Sequence, residues 1–176
     1  MMRRFTLITL VVLLTAAAWI SWHHFGPRQP APPLAPEAAQ IDHILIEKSA
    51  RRLTATLDGA VVMQEDIALG FAPEGDKQQE GDGKTPIGTF TIDRRNPQSA
   101  FHLSLGIDYP QPEDVERANA LGIDPGGDIF IHGQPNGVVG LTLPGDWTEG
   151  CVALSNTEMA RLWSLTPNGT VVEIRP

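Results

Sequence analysis

Short stretches in which apolar and polar residues alternate recur along most of the chain, and they predict β-strands. In LTATL, residues 53–57, leucine and alanine alternate with threonine, which is typical of a half-buried strand. The following Asp58-Gly59 predicts a hairpin into AVVM, because a type I′ turn needs the positive φ angles that these residues tolerate. Further strands are predicted in IDHILIE (41–47), GTFTI (88–92), FHLSL (101–105), DIFIHG (128–133) and TVVEI (170–174).

Two segments carry helix signals instead. PEDVERANALG, residues 112–122, has acidic residues in its first turn and a glycine at its end, as the helix dipole and the C-cap favour. SNTEMARLW, residues 155–163, begins with Ser155 and has Glu158 three positions later, which is the capping-box pattern. Residues 41–176 are therefore predicted to form one mainly β domain with one or two short helices.

The N-terminal region differs from this pattern. Residues 5–20 are uncharged and follow two arginines, so residues 1–22 are interpreted as a cleaved signal peptide or an uncleaved signal anchor. We favour the anchor, because Trp19 and Trp22 suit a membrane interface better than a cleavage site. Both interpretations place residues 41–176 on the extracytoplasmic, periplasmic side, attached to the membrane by the anchor or secreted after cleavage. Residues 23–40 are rich in proline and alanine and predict an extended linker.

Composition narrows the range of partners. The chain has a hydrophobic content of 41%, enough for a core, and a net charge of −8. A nucleic acid partner is not expected, since nucleic-acid-binding domains present a basic face. The chain has one cysteine, so an intramolecular disulfide is impossible and a dithiol redox motif is absent.

That cysteine, Cys151, lies in DWTEGCVALSN, residues 146–156. A lone cysteine is as often a small buried hydrophobe as a nucleophile, but in an oxidising compartment a free thiol is a liability. Gly150 before it gives the backbone freedom to point N–H groups at a substrate carbonyl. A nucleophilic thiol needs a base, and we select His132 among the five histidines, because it ends a predicted strand and precedes Gly133.

Three segments in order carry a family resemblance: KTPIGTFTI (84–92), IHG (131–133) and TEGC (148–151). They resemble the L,D-transpeptidase catalytic domain family of the YkuD type, and fifteen residues separate His132 from Thr148, a spacing that fits its pattern. The resemblance covers roughly residues 41–176. It implies a β-sandwich or barrel-like YkuD-type domain that acts on peptidoglycan stem peptides without a metal or cofactor.

The resemblance also implies roles for individual residues. Cys151 would be the acyl-accepting nucleophile and His132 its base. Backbone N–H groups around Gly150 and Cys151 would form the oxyanion hole, with Gly133 and Thr148 in supporting positions. An amine or water would resolve the thioester, so the chain would act as a transpeptidase in wall remodelling or as a hydrolase.

Two departures from the family pattern bear on the acceptor. Glu149 stands where most members have histidine, and Ala153 where many have arginine or asparagine. With LGIDYP (105–110) and GGDIFIHG (126–133), these features resemble the divergent YafK-like murein L,D-transpeptidase branch. That branch includes hydrolysis of links between the wall and a protein, so a wall-linked protein is a further expected partner.

The substrate-binding candidates are Glu149, Asp146 and Trp147. Because a carboxylate near a thiolate raises its pKa, we expect Glu149 to turn away from the sulfur or to bind a cationic amine of the substrate. A solvated loop position is the alternative for Glu149, and core packing is the alternative for Trp147. The alternative from another functional class is a catalytically silent wall-binding module with an inert thiol.

Overall fold

The computed structural model describes residues 2–25, 30–138 and 140–176, with side chains described for residues 8–22 and from residue 30 onward. The chain divides into two units, Met1–Pro30 and Ala31–Pro176. The first unit contains helix α1, Met2–Phe25. The second unit contains a sheet and two further helices, α2, Pro112–Leu121, and α3, Asn156–Leu165.

The predicted membrane anchor in residues 1–22 is not supported. A bilayer span requires about 20 predominantly apolar residues in one helix. Within residues 2–25, 30–138 and 140–176, no helix combines the necessary length and apolar character.

The described residues of the second unit form one sheet of eight strands. The strands are β1 His43–Glu47, β2 Arg52–Leu57, β3 Ala60–Asp66, β4 Gly88–Asn96, β5 Ser104–Ile107, β6 Phe130–His132, β7 Val152–Ala153 and β8 Val171–Arg175. Their order in the sheet is β3-β2-β1-β8-β4-β5-β6-β7. The pairs β1–β8 and β6–β7 are parallel, and the other neighbouring pairs are antiparallel.

The sheet is curled, because the chain that leaves β3 at one edge pairs with β7 at the other. Ala68 and Ala153 exchange two backbone hydrogen bonds of 2.9 and 2.8 Å. Further along, the Phe71 N–H donates to the Thr148 carbonyl at 2.8 Å, and the Thr148 N–H donates to the Leu69 carbonyl at 3.1 Å. The predicted mainly β class is confirmed, and residues 67–71 bring both edges of the sheet beside the cysteine loop.

Several local predictions are confirmed by backbone geometry. Asp58 and Gly59 have φ angles of 51° and 77°, the positive values that a type I′ hairpin turn requires. Helix α2 ends at Leu121 and is capped by Gly122, which is left-handed with a φ of 69°. Helix α3 begins after Ser155, whose hydroxyl accepts from the Glu158 N–H at 3.3 Å while the Glu158 carboxylate accepts from the Ser155 N–H at 3.0 Å.

Several strands differ in extent from the prediction; β4, for example, continues to Asn96, and β6 is limited to Phe130–His132. FHLSL was predicted as one strand over residues 101–105, but β5 begins only at Ser104, because Leu103 has a φ of 51° and interrupts the extended conformation. The two-residue strand β7 was not predicted. It is too short to show alternation, and it exists because it pairs in parallel with β6.

The second half of the predicted linker lies within the second unit and contacts α3. The indole N–H of Trp163 donates to the Pro32 carbonyl at 3.0 Å, and the Ala35 N–H donates to the Ser164 carbonyl at 2.7 Å. A short 3-10 helix, Glu37–Ala39, follows before the chain enters β1. Residues 31–40 of the predicted linker therefore pack along the domain, and residues 26–29 of it lie outside the described residues.

Candidate active site

The end of β6 and the start of β7 bring Cys151 and His132 to one cavity of about 480 Å³. The two strands are parallel, with Ile131 paired with Val152 and His132 paired with Ala153. Cys151 therefore lies beside Phe130, one position before the paired segment. Phe130 and His132 are two positions apart on β6 and so share a face of the sheet. Because Cys151 lies beside Phe130, Cys151 and His132 are on the same side of the sheet.

The thiol of Cys151 is half-buried and lies against the backbone of the segment that leads into β6. The Phe130 N–H donates to Sγ at 3.4 Å, and Sγ lies 3.5 Å from the Asp128 carbonyl oxygen, to which the thiol donates. Burial raises the pKa of Cys151, and the Phe130 N–H partly offsets this shift by stabilising the thiolate. The thiol is therefore protonated in the free protein near neutral pH.

His132 is 2% exposed, and its Nδ1 lies 2.7 Å from the carbonyl oxygen of Gly133. Because a carbonyl only accepts hydrogen bonds, Nδ1 carries the proton and Nε2 keeps its lone pair. Burial lowers the pKa of His132, against a smaller raising effect of the Gly133 carbonyl. The imidazole is therefore neutral near pH 7, and Nε2 can accept a proton.

Thr148 holds the turn that presents the cysteine. Its hydroxyl donates to the Cys151 carbonyl at 2.7 Å and accepts from the Gly150 N–H at 3.2 Å. The side chain is buried and lines the cavity. Thr148 therefore links the two ends of the short loop that carries Glu149 and Gly150.

Gly150 occupies a position where backbone segments approach closely. Its φ is 130°, and a Cβ added there would lie 2.6 Å from the Lys84 carbonyl oxygen. A Cβ at Gly70 would likewise lie 2.1 Å from the Gly83 carbonyl oxygen and 3.0 Å from the Gly150 Cα. The absence of side chains at these glycines lets residues 83–84 and the residues after β3 pack against the cysteine loop.

A Gly150→Ala variant is expected to lose about 2–4 kcal/mol of unfolding free energy, from the contact with Lys84 O and the strained φ angle together. The matched control is Gly169→Ala, where φ is 88° but no atom lies within 4 Å of the added Cβ. Urea unfolding of both variants separates the two contributions. An equal loss in both variants would show that the close approach to Lys84 contributes nothing.

Asp146 does not line the cavity with the cysteine, contrary to our expectation. Its carboxylate accepts from Nε and Nη2 of Arg51 at 3.0 and 2.8 Å and from the Leu69 N–H at 2.9 Å. It borders a separate cavity of about 440 Å³. These hydrogen bonds attach the cysteine loop to Arg51 and Leu69.

The two other substrate-binding candidates do line the cysteine cavity. Glu149 is exposed, and its charge raises the pKa of Cys151 less than burial of the thiol does. Trp147 is half-buried, and its ring lies 5.8 Å from the His132 ring at an angle of 60°. Glu149 therefore occupies the solvated position, and Trp147 packs beside the imidazole.

Gly133 supports the histidine through its carbonyl and through its lack of a side chain. A Cβ at Gly133 would lie 2.7 Å from the His102 carbonyl oxygen and 2.7 Å from the Asn156 Oδ1. The segment containing His102 can therefore lie directly against the end of β6. Any side chain at residue 133 would displace it.

Phe101 and Lys77 are among the cavity residues that sequence reasoning missed. The Phe101 ring stacks on His132 with centroids 4.1 Å apart and planes 24° apart, although alternation had suggested only a strand position. Lys77 is buried, and its Nζ donates to Asp82 Oδ1 at 3.0 Å. No short-range pattern marks Lys77, because its burial arises when residues 76–84 fold over the cavity. Among the described residues, no group of His, Cys, Asp or Glu side chains is arranged to hold a metal ion.

Comparisons with known proteins relate the fold to a family. The model of the YkuD family, described as the L,D-transpeptidase catalytic domain, matches residues 41–174. No curated protein matches the chain.

Among solved structures, Pgp2 of Campylobacter jejuni, described as a helical cell shape determining protein, is 26% identical with a TM-score of 0.59, covering 90% of this chain and 54% of Pgp2. An L,D-transpeptidase of Xylanimonas cellulosilytica is 19% identical with a TM-score of 0.52, covering 84% of this chain and 65% of its own, and shows similarity of fold alone. This chain thus spans about half the length of Pgp2. Because the family model covers most of the second unit, the chain belongs to the L,D-transpeptidase catalytic domain family.

Proposed function

We propose that this protein is a peptidoglycan L,D-transpeptidase that acts on stem peptides through a thioester on Cys151. The observation that carries the proposal is the cavity lined by both Cys151 and His132, in which the Gly133 carbonyl holds the imidazole in the tautomer of a base. Membership of the L,D-transpeptidase family supports the substrate class. Similarity to Pgp2, a helical cell shape determining protein, supports a role in wall remodelling.

The first half-reaction uses the neutral pair. Nε2 of His132 takes the thiol proton as Sγ of Cys151 attacks the carbonyl carbon of the L,D-linked diamino acid. The tetrahedral intermediate collapses when the bond to the terminal D-residue breaks, and the imidazolium gives its proton to the leaving amine. The products are the thioester and the free D-residue, and His132 is neutral again.

The second half-reaction reverses these roles. His132 takes a proton from an acceptor amine, which attacks the thioester carbonyl and forms the new amide. The thiolate leaves and recovers the proton from the imidazolium. Water in place of the amine would release a shortened peptide, so the same residues serve as a hydrolase if no amine occupies the cavity.

Oxyanion stabilisation is assigned to the backbone N–H of Cys151. The Gly150 N–H already donates to the Thr148 hydroxyl at 3.2 Å, so it is committed within the loop. Thr148 therefore acts on the loop conformation, and Gly150 acts through its φ angle and its lack of a side chain. We further propose that the exposed Glu149 carboxylate interacts with a cationic amine of the substrate at the edge of the cavity.

The proposed substrate also bears on location. Peptidoglycan lies outside the cytoplasmic membrane, so the proposed activity requires the domain on the extracytoplasmic side. A wall-linked protein is an acceptor or substrate consistent with the same chemistry, since the thioester step needs only an L,D-linked acyl donor.

The full chain incubated with a disaccharide tetrapeptide tests this function by intact-mass spectrometry. We expect the mass of the protein to increase by the mass of the substrate minus that of the released D-amino acid. The free D-amino acid should appear in solution. Adding a second peptide with a free amine should produce a cross-linked product if the protein is a transpeptidase, and only shortened peptide if it is a hydrolase. Absence of both adduct and release, with a thiol that resists alkylation in the folded protein, would favour a silent wall-binding module.

A further inference from the structure

The imidazole of His132 packs against two aromatic rings, which also contact each other. On one side, Phe101 stacks on it with centroids 4.1 Å apart and planes 24° apart. The Trp147 ring lies 5.8 Å away at 60°, and Phe101 and Trp147 are themselves 6.0 Å apart. All three residues line the cavity that contains the cysteine.

Phe101 would not reach His132 if β5 were regular. Ser104 pairs directly with His132, and residues three positions apart in a strand lie on opposite faces. Phe101 pairs with Pro135 in the same register, so regular alternation would place its ring on the face opposite to His132. The left-handed conformation of Leu103, with a φ of 51°, reverses the alternation and brings the ring to the histidine side.

The left-handed conformation of Leu103 has an energetic cost. Leu103 is buried, and a non-glycine residue in the left-handed region is strained, which persists only where the surroundings enforce it. The His102 N–H donates to the Gln134 carbonyl at 2.9 Å, and the Gly133 N–H donates to the His102 carbonyl at 2.9 Å. Both backbone polar groups of His102, the residue between Phe101 and Leu103, are thus hydrogen-bonded to the chain that follows β6, and this keeps the Phe101 ring in place.

The stack supplies a constraint that the hydrogen bond of His132 lacks. One bond from Nδ1 to the Gly133 carbonyl still allows the ring to turn about that contact. A flat ring at 4.1 Å on one face restricts this rotation and excludes water from that face. Catalytic bases lose efficiency steeply when they are displaced by even about 1 Å.

We propose that Phe101 is a positioning residue for the catalytic base: its ring keeps Nδ1–H of His132 on the Gly133 carbonyl and Nε2 available in the cavity. The left-handed conformation of Leu103 and the missing side chain at Gly133 allow that ring to reach His132. The role of His132 as base rests on the proposed function, but the orientation of its ring can be measured without any substrate.

Phe101→Leu removes the flat ring and keeps an apolar side chain, Phe101→Tyr keeps the ring, and Phe90→Leu is the matched control. Phe90 is a buried phenylalanine whose ring lies beside Tyr109, with centroids 6.1 Å apart. The ring nitrogens of His132 are observed by ¹⁵N NMR in the full chain at about pH 8, where an ordinary histidine is neutral. Their chemical shifts report which nitrogen carries the proton.

We expect the native protein, Phe101→Tyr and Phe90→Leu to show a single Nδ1–H tautomer, and Phe101→Leu to show a mixture. In the acylation assay, Phe101→Leu should lower kcat by about 10- to 100-fold with little change in KM. Phe101→Met, which is unbranched, replaces the leucine variant if that one fails to fold.

An unchanged tautomer in a folded Phe101→Leu or Phe101→Met variant would overturn the proposal and leave Phe101 with a packing role only. If the native protein lacks acylation activity but Phe101→Leu still changes the tautomer of His132, the proposed function is rejected. The positioning of His132 by Phe101 is then retained. The two failures are therefore distinguishable.

Discussion

A Cys151→Ala variant is expected to form no acyl-enzyme and to lower release of the terminal D-residue by roughly 10³-fold or more. The thiol is the only cysteine sulfur of the chain, and without it the proposed reaction has no atom to carry the acyl group. Intact-mass spectrometry and detection of the free D-residue, on native and variant proteins side by side, measure the loss.

The fold should survive this change. Cys151 is only half-buried, and the substitution removes two weak contacts, the 3.4 Å hydrogen bond from the Phe130 N–H to Sγ and the 3.5 Å hydrogen bond from the thiol to the Asp128 carbonyl. Thermal unfolding of the variant should therefore stay close to that of the native protein. Cys151→Ser is the matched variant with a hydroxyl in place of the thiol, and it should retain substrate binding without turnover. D-residue release by Cys151→Ala within tenfold of the native rate would exclude the thioester mechanism.

A His132→Gln variant is expected to lower the acylation rate by about 10²- to 10⁴-fold, the usual contribution of a positioned general base. Glutamine can still donate to the Gly133 carbonyl, but it has no nitrogen lone pair that accepts a proton. The change therefore removes proton transfer while it preserves the hydrogen bond that Nδ1 makes at 2.7 Å.

The pH profile distinguishes a lost base from a disturbed fold. Burial lowers the pKa of His132, so native acylation should hold down to pH values below the ordinary histidine range and fall only when the imidazole is protonated. Burial raises the pKa of Cys151, so without the base the His132→Gln rate should rise with pH as thiolate forms.

His43→Gln is the control for this experiment. His43 lies on β1 and its Nε2 is 3.5 Å from Glu173, in a contact that does not involve the cavity. That variant should keep the native rate and the native pH profile. If His132→Gln retained the native profile, another group would have to be the base.

Features that depend on neighbouring residues could be predicted from the sequence. The Asp58-Gly59 turn, the capping box at Ser155 and the glycine end of α2 each follow from the φ angles and hydrogen bonds of a few adjacent residues. The spacing of His132, Thr148 and Cys151 likewise indicates the family, which the family model confirms.

Side-chain direction in the site could not be predicted in the same way. Alternation assigns residues to faces only while a strand stays regular, and the single left-handed residue Leu103 moved Phe101 to the opposite face. Asp146 was assigned to the cleft by its position beside the cysteine loop, but Arg51, far away in the sequence, binds its carboxylate.

The sequence by itself determined the mainly β class, the hairpin, the helix ends and the candidate pair Cys151 and His132. Only the tertiary structure decided how the sheet curls through Ala68 and Ala153, and why residue 150 must be glycine. The physical reason is the range of the interactions. Turns and caps are closed by residues a few positions apart, whereas the cavity is built by segments that meet only after the two edges of the sheet come together.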